Sequence, residues 1–154
     1  MANFNPDKIK IGPCVVSYKG SMLGATQGGI KIEMNMETVD IKCDQSYGQA
    51  VKRVVTAVKL SIGMTMLEVD QNFSLLLSGD KISGSVIGSN LLNHGGVLQL
   101  TPIDANDQAA YRFPNAILEP DASCSILGSA ANTLELRFTA WPDSEGTFLE
   151  KITA

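Results

Sequence analysis

Residues Gly28 to Asp44 read GGIKIEMNMETVDIKCD, and apolar and polar side chains alternate along nearly the whole segment. A period of two is the mark of a β-strand with one face turned to a core. Ile30, Ile32, Met34 and Met36 take the even positions, with Lys31, Glu33, Asn35 and Glu37 between them. From Val39 the apolar set moves to odd positions, at Val39, Ile41 and Cys43. Strand side chains alternate strictly, so this change of parity predicts a β-bulge or bend at Glu37-Thr38. A polar loop, Asp44-Gln45-Ser46-Tyr47-Gly48-Gln49, ends the strand. A second long strand follows from about Val51 to Met64. It carries Val54, Val58, Leu60, Ile62 and Met64 on one face, and Arg53, Val55, Ala57, Lys59, Ser61 and Gly63 on the other. The two strands and their loop predict a long hairpin over about 29–64.

Working outward, Cys14 to Tyr18 reads as a short strand closed by Lys19-Gly20, and Ser21 to Gly29 as a glycine-rich connector. After the hairpin the sequence Thr65-Met66-Leu67-Glu68 fits a capping box, Thr65 as N-cap and Glu68 at N3. With Leu67, Phe73, Leu76 and Leu77 able to share a face and Gly79 beyond them, it predicts one helix over about 66–78. The β pattern then returns: a short piece at Val86-Ile87, a strand at Gly95–Pro102, and one at Ala109–Glu119 with Pro114 marking an edge or bulge. Thr133 to Trp141 alternates with Leu134, Leu136, Phe138 and Ala140 facing inward; the turn PDSEG and a last strand, Thr147 to Ile152, complete the C-terminal strands over about 95–152. The expectation is a single all-β domain over residues 1–154, a mainly antiparallel β-sandwich or partial barrel with one short flanking α-helix.

The bulk composition narrows the function. Twelve Lys+Arg against sixteen Asp+Glu give a net charge of −4 and a pI near 4.9, against tight binding of nucleic acid or an anionic membrane surface. No apolar run reaches the roughly 18 residues of a membrane helix, and the N-terminus lacks the basic and apolar regions of a secretion signal. Cys14, Cys43 and Cys124 are scattered thiols, suited neither to a disulfide framework nor to a zinc site. His94 is the only histidine, and no spacing ties it to a cysteine nucleophile. The glycines of GSMLGATQGG lead into a strand and lack the Lys-Ser/Thr of a phosphate loop. Catalytic, metal-binding and cofactor sites are therefore not expected.

What the pattern leaves is a hairpin too long for a small domain, charged along one face. Exposed long strands invite pairing, and a closed ring of copies leaves no free edge. The run YKGSMLGATQGGIKIEMNMETVDIKCDQSYGQAVKRVVTAVKLSIGMTMLEVDQNFSLLLSG, Tyr18 to Gly79, resembles the tail tube (major tail) proteins of long-tailed bacteriophages, as does LELRFTAWPDSEGTFLEKI near the C-terminus. That resemblance implies a structural virion protein of the tail, not an enzyme, assembled in the host cytoplasm. It implies homohexameric rings stacked into a hollow tube for transient passage of double-stranded DNA without tight binding, with no membrane insertion. The tape measure, tail terminator and distal tail proteins are the implied partners. Asp44, Gln45, Ser46, Tyr47, Gly48 and Gln49 would form the loop reaching the adjacent ring, and Lys31, Glu33, Asn35, Glu37, Lys59 and Ser61 would face the lumen. Met1–Lys10 and Asp44–Lys52 would become ordered on assembly. Two alternatives remain: the tube of a contractile tail or injection machine, and a monomeric β-sandwich binding module, for which nine aromatic residues offer little platform.

Overall fold

A computed structural model of the chain describes residues 14–69, 72, 84, 87–103 and 109–153. Among these residues nine strands form one antiparallel sheet: β1 (Cys14–Tyr18), β2 (Ser21–Gly24), β3 (Thr26–Lys42), β4 (Ala50–Met66), β5 (Gly96–Pro102), β6 (Ala109–Leu118), β7 (Ser123–Ser125), β8 (Thr133–Trp141) and β9 (Glu150–Thr153). The main path runs β2-β1-β5-β6-β8-β4-β3, with β7 on β8 and β9 on β6. Its ends are joined by the chain itself, because β2 passes into β3 through Ala25. The Ala25 carbonyl accepts from Leu67 N at 2.9 Å and the Ala25 amide donates to Glu68 Oε2 at 2.7 Å, so the bend is held by the segment just after β4. The Tyr18 ring on β1 reaches Phe138 on β8 with centroids 4.9 Å apart, and its hydroxyl donates to the Ala116 carbonyl on β6. Strands distant in the path thus meet across the core, and the sheet curls into the partial barrel that the alternation predicts.

The core follows that alternation. Leu60, Ile62, Met64 and Met66 of β4 pack with Leu134, Leu136, Phe138 and Ala140 of β8, the fully buried Phe113 of β6, and Val16, Leu23, Leu98 and Leu100. Directly opposed positions, Ile62 with Phe138 and Met64 with Leu136, tie the hairpin's second strand to the core. Pro114 lies inside a central strand, not at an edge. The extra residue of a bulge sits there, since Phe113 opposes Leu98 and Ala116 opposes Gly96. It is also where β6 exchanges β9 for β8 as its neighbour on one side, a natural place for a residue with no amide hydrogen to donate.

Three expectations change. Thr65 is strand, paired with Gln27 and Glu135, and β4 continues to the fully buried Met66. The capping box is therefore absent: Glu68 spends its carboxylate on Ala25 N. Val69 and Asn72 are helical, Asn72 N donating to the Glu68 carbonyl, and most of the expected helix 66–78 falls outside the described residues. Within the expected connector, Ser21–Gly24 pairs as a strand with β1. Ile87 lies in a turn, and Val86 is not among the described residues.

Candidate assembly surface

The hairpin expected over 29–64 spans β3 and β4, each 17 residues long. Only part of it rests on the core. The pairing of β4 with β8 covers Leu60 to Met66, and the stretch from Ala50 toward Lys59 runs on beyond β8. At roughly 3.3 Å per residue, the far end of β4 lies about 50 Å from its Met66 end.

Register puts the expected polar residues together. Lys31 opposes Gly63, Glu33 opposes Ser61, Asn35 opposes Lys59 and Glu37 opposes Ala57, so all six fall on one face of the hairpin. Lys31 Nζ meets Glu33 Oε1 at 2.9 Å, which holds the Glu33 carboxyl below the usual range. β8 extends this face with residues that hydropathy alone did not assign to it. Glu135, Arg137 and Thr139 sit opposite Thr65, Gly63 and Ser61. The outward orientation of Glu135 and Arg137 was legible in the inward set Leu134, Leu136 and Phe138; Thr139 shares that side but is buried, its hydroxyl donating to Glu119 Oε1, and the position of all three beside β4 was not legible. The face then carries Lys31, Lys59 and Arg137 against Glu33, Glu37 and Glu135, a balance of charge without basic excess.

The opposite face of β3 is apolar and uncovered. Ile30 packs against the core, while Ile32, Met34 and Met36 are exposed at 40%, 59% and 49%. β3 also ends the main path of the sheet, with β4 on one side and, among the described residues, no strand on the other. An edge strand of this length with an apolar face is a template for another chain.

The bulge at Glu37-Thr38 is present, but the extra residue belongs to the partner strand. Glu37 opposes Ala57 and Thr38 opposes Val55, leaving Thr56 to spare, its hydroxyl donating to the Glu37 carbonyl at 3.2 Å. β3 itself keeps its alternation, so Val39 and Ile41 share the side of Lys31 and Glu37. The outer half of the hairpin therefore presents exposed apolar residues on both faces: Val39 and Ile41 on one, Val55 on the other. Asp40 opposes Arg53 there, with a guanidinium-to-carboxylate contact of 2.7 Å that lowers the Asp40 pKa.

The loop at the tip is built from its own atoms. Asp44–Ser46 make one 3₁₀ turn, and the Ser46 hydroxyl bridges the carbonyls of Cys43 at 2.7 Å and Gln49 at 2.6 Å. Tyr47 takes a left-handed φ of 53° and is 94% exposed, followed by Gly48 at φ 83°. Of the segments expected to order on assembly, Met1–Lys10 lies outside the described residues. Among the described residues, no group of three His, Cys, Asp or Glu is placed to hold a metal. His94 ends a 3₁₀ turn, Leu91–His94, before β5.

With this geometry in hand, the chain compares with solved structures as follows. A chain from the virion of a native gene transfer agent particle matches with TM-score 0.55 and 13% identity, covering 90% of this chain and 94% of that one. The tail of an empty gene transfer agent particle, with C6 symmetry, matches at 0.54 and 15% over 92% and 96%. The sheath/tube terminator of an extracellular contractile injection system matches at 0.57 and 11% over 97% and 99%. The chain has the tail-tube fold. No protein-family model matches the sequence, and no curated protein does. At these identities the likeness belongs to the backbone, and the tail-tube fold is here carried by a largely different set of side chains. Among the described residues, no helix is long and apolar enough to cross a membrane.

Proposed function

We propose that this chain is a structural subunit of a phage-like tail that assembles with copies of itself into hexameric rings stacked as a hollow tube. The observation that carries the reading is the overlong hairpin: among the described residues β3 has no strand on its outer edge, its apolar face at Ile32, Met34 and Met36 is exposed, and the hairpin beyond Leu60 runs past the chain's own core. A neighbouring copy supplies both the missing edge partner and the cover for that face. Support for six-fold closure comes from the C6 symmetry of the gene transfer agent tail, which has this fold. In the assembled tube the mixed-charge face of Lys31, Glu33, Asn35, Glu37, Lys59 and Ser61 lines the lumen. A lining with no basic excess lets double-stranded DNA pass without holding it. The tape measure, tail terminator and distal tail proteins are the partners of such a tube, and the virion tail is its place.

The test uses the purified chain at rising concentration, with sedimentation and electron microscopy as readouts. Rings or tubes of uniform diameter are expected, and a strictly monomeric protein at every concentration contradicts the reading. A second reading is favoured by the match to a sheath/tube terminator and to the tube-terminating cap of the anti-feeding prophage, TM-score 0.56. A terminator closes one ring and stops, so the two readings part on whether rings stack.

A further inference from the structure

Methionine is distributed unevenly over the hairpin. Met64 and Met66 sit in the core half of β4 and are buried, at 5% and 0% exposure, whereas Met34 and Met36 sit on β3 at 59% and 49%. Register shows that Met64 and the two exposed methionines belong to one surface. Ile30 opposes Met64, Ile32 opposes Ile62, Met34 opposes Leu60 and Met36 opposes Val58, so one apolar face runs from the core out past its rim. The pairing of β4 with β8 stops at Leu60, opposite Met34, and there the thioethers come into solvent. Met34 and Met36 stand two residues apart on the same side of the strand, roughly 6–7 Å from one another.

An exposed thioether is open to two-electron oxidants. Its sulfur lone pair takes one oxygen of a peroxide as the O–O bond breaks, so that hydrogen peroxide leaves as water and methionine becomes methionine sulfoxide. The product is polar and chiral where the parent was apolar and flexible. In the free chain the change costs the fold little, because water solvates the sulfoxide oxygen and neither side chain belongs to the buried core. Against a second apolar surface the cost is large: the oxygen is a strong acceptor, and an apolar neighbour has no donor to offer it.

We propose that Met34 and Met36 form a reversible oxidation site that governs association of the chain: as thioethers they let a second copy cover the β3 face, and as sulfoxides they prevent it. The inference rests on the self-assembly reading and adds regulation to that same face. The oxidant is hydrogen peroxide or another two-electron peroxide, and methionine sulfoxide reductases supplied with a thiol restore the apolar surface. The site acts on free copies only, because cover by a neighbour takes the sulfurs out of reach of the oxidant. Ile32 on the same face has no comparable chemistry, and Met64 and Met66 are sheltered while the fold holds.

The test treats the unassembled chain with hydrogen peroxide, maps each methionine by peptide mass spectrometry, and then raises the concentration with sedimentation as readout. Sulfoxide is expected at Met34 and Met36 but not at Met64 or Met66, with the thermal midpoint of the monomer unchanged. The oxidised chain should need at least about tenfold more protein to assemble, as burial of an unsatisfied acceptor in each contact requires. The two stereospecific reductases with a thiol should restore assembly, and the thiol alone should not. Met22, Cys43 and Cys124 are also exposed and react with peroxide, so the control is Met34→Leu/Met36→Leu, which keeps all three along with the apolar face. It should assemble alike before and after peroxide. Assembly unaffected by sulfoxide at both positions, sensitivity retained in the leucine variant, or no recovery once both sulfoxides are reduced overturns the inference and leaves self-assembly standing. A chain that never associates, oxidised or not, overturns both.

Discussion

Gly24 is where one residue most constrains the fold. Its φ is +90°, and a β-carbon there would stand 1.3 Å from Glu68 Oε2, the atom that accepts from Ala25 N. Gly24→Ala is expected to destabilise by more than about 1 kcal/mol in denaturant titration. Adding Glu68→Ala removes the collision but not the backbone strain, so the double variant should lose less than the sum of the two. Phe138, fully buried against Tyr18, is expected to cost about 3–5 kcal/mol when cut to alanine. The Asp40–Arg53 pair sets a small acid dependence. Arg53 lowers the Asp40 pKa, so the pair's contribution is fully present above the ordinary carboxylate value and is lost as pH falls through the lowered one. Thermal midpoints should lose this contribution only below about pH 4, and Asp40→Asn should remove that part of the acid decline. Neither the collision at Gly24 nor the role of Glu68 was legible from sequence. Both depend on the bend between β2 and β3 meeting the end of β4, and a Thr-x-x-Glu tetrapeptide reads locally as a helix start.

At the scale of elements, the hairpin was readable because period two survives over most of 17 residues, and the inward set of β8 was readable for the same reason. Short strands were not: β2 has 4 residues and β7 has 3, too few for a periodic signal beside glycine and serine. The bulge was located correctly but on the wrong strand, because parity along one strand does not say which partner holds the extra residue. That distinction has a consequence. With Thr56 as the spare residue, the outer hairpin carries exposed apolar residues on both faces, and the proposed assembly has to cover both. Val39→Asp and Val55→Asp, on opposite faces, should each block assembly. Both positions are exposed and lie outside the core, so the monomer's unfolding free energy should change by no more than about 0.5 kcal/mol. Unimpaired assembly of either variant shows that face to be free in the tube. The proposed lumen residues were gathered from sequence onto one face, whereas Glu135 and Arg137 joined it only once strand order placed β8 beside β4.

For the whole molecule, the fold accounts for a subunit that is complete at its core and incomplete along its hairpin. The buried set from β1, β4, β5, β6 and β8 packs within the chain, while among the described residues β3 leaves an edge, an apolar face and a long overhang unfilled. Those features acquire a physical reason when copies stand side by side and end to end. A polar, charge-balanced face then encloses the space they surround. The most direct measurement is cryo-electron microscopy of particles assembled from the purified chain. The account predicts six-fold rings stacked into a tube, with β3 of each copy against its neighbour and Lys31, Glu33, Asn35 and Glu37 facing the central channel. A ring in which the β3 edge is free, or in which those residues face outward, would contradict it.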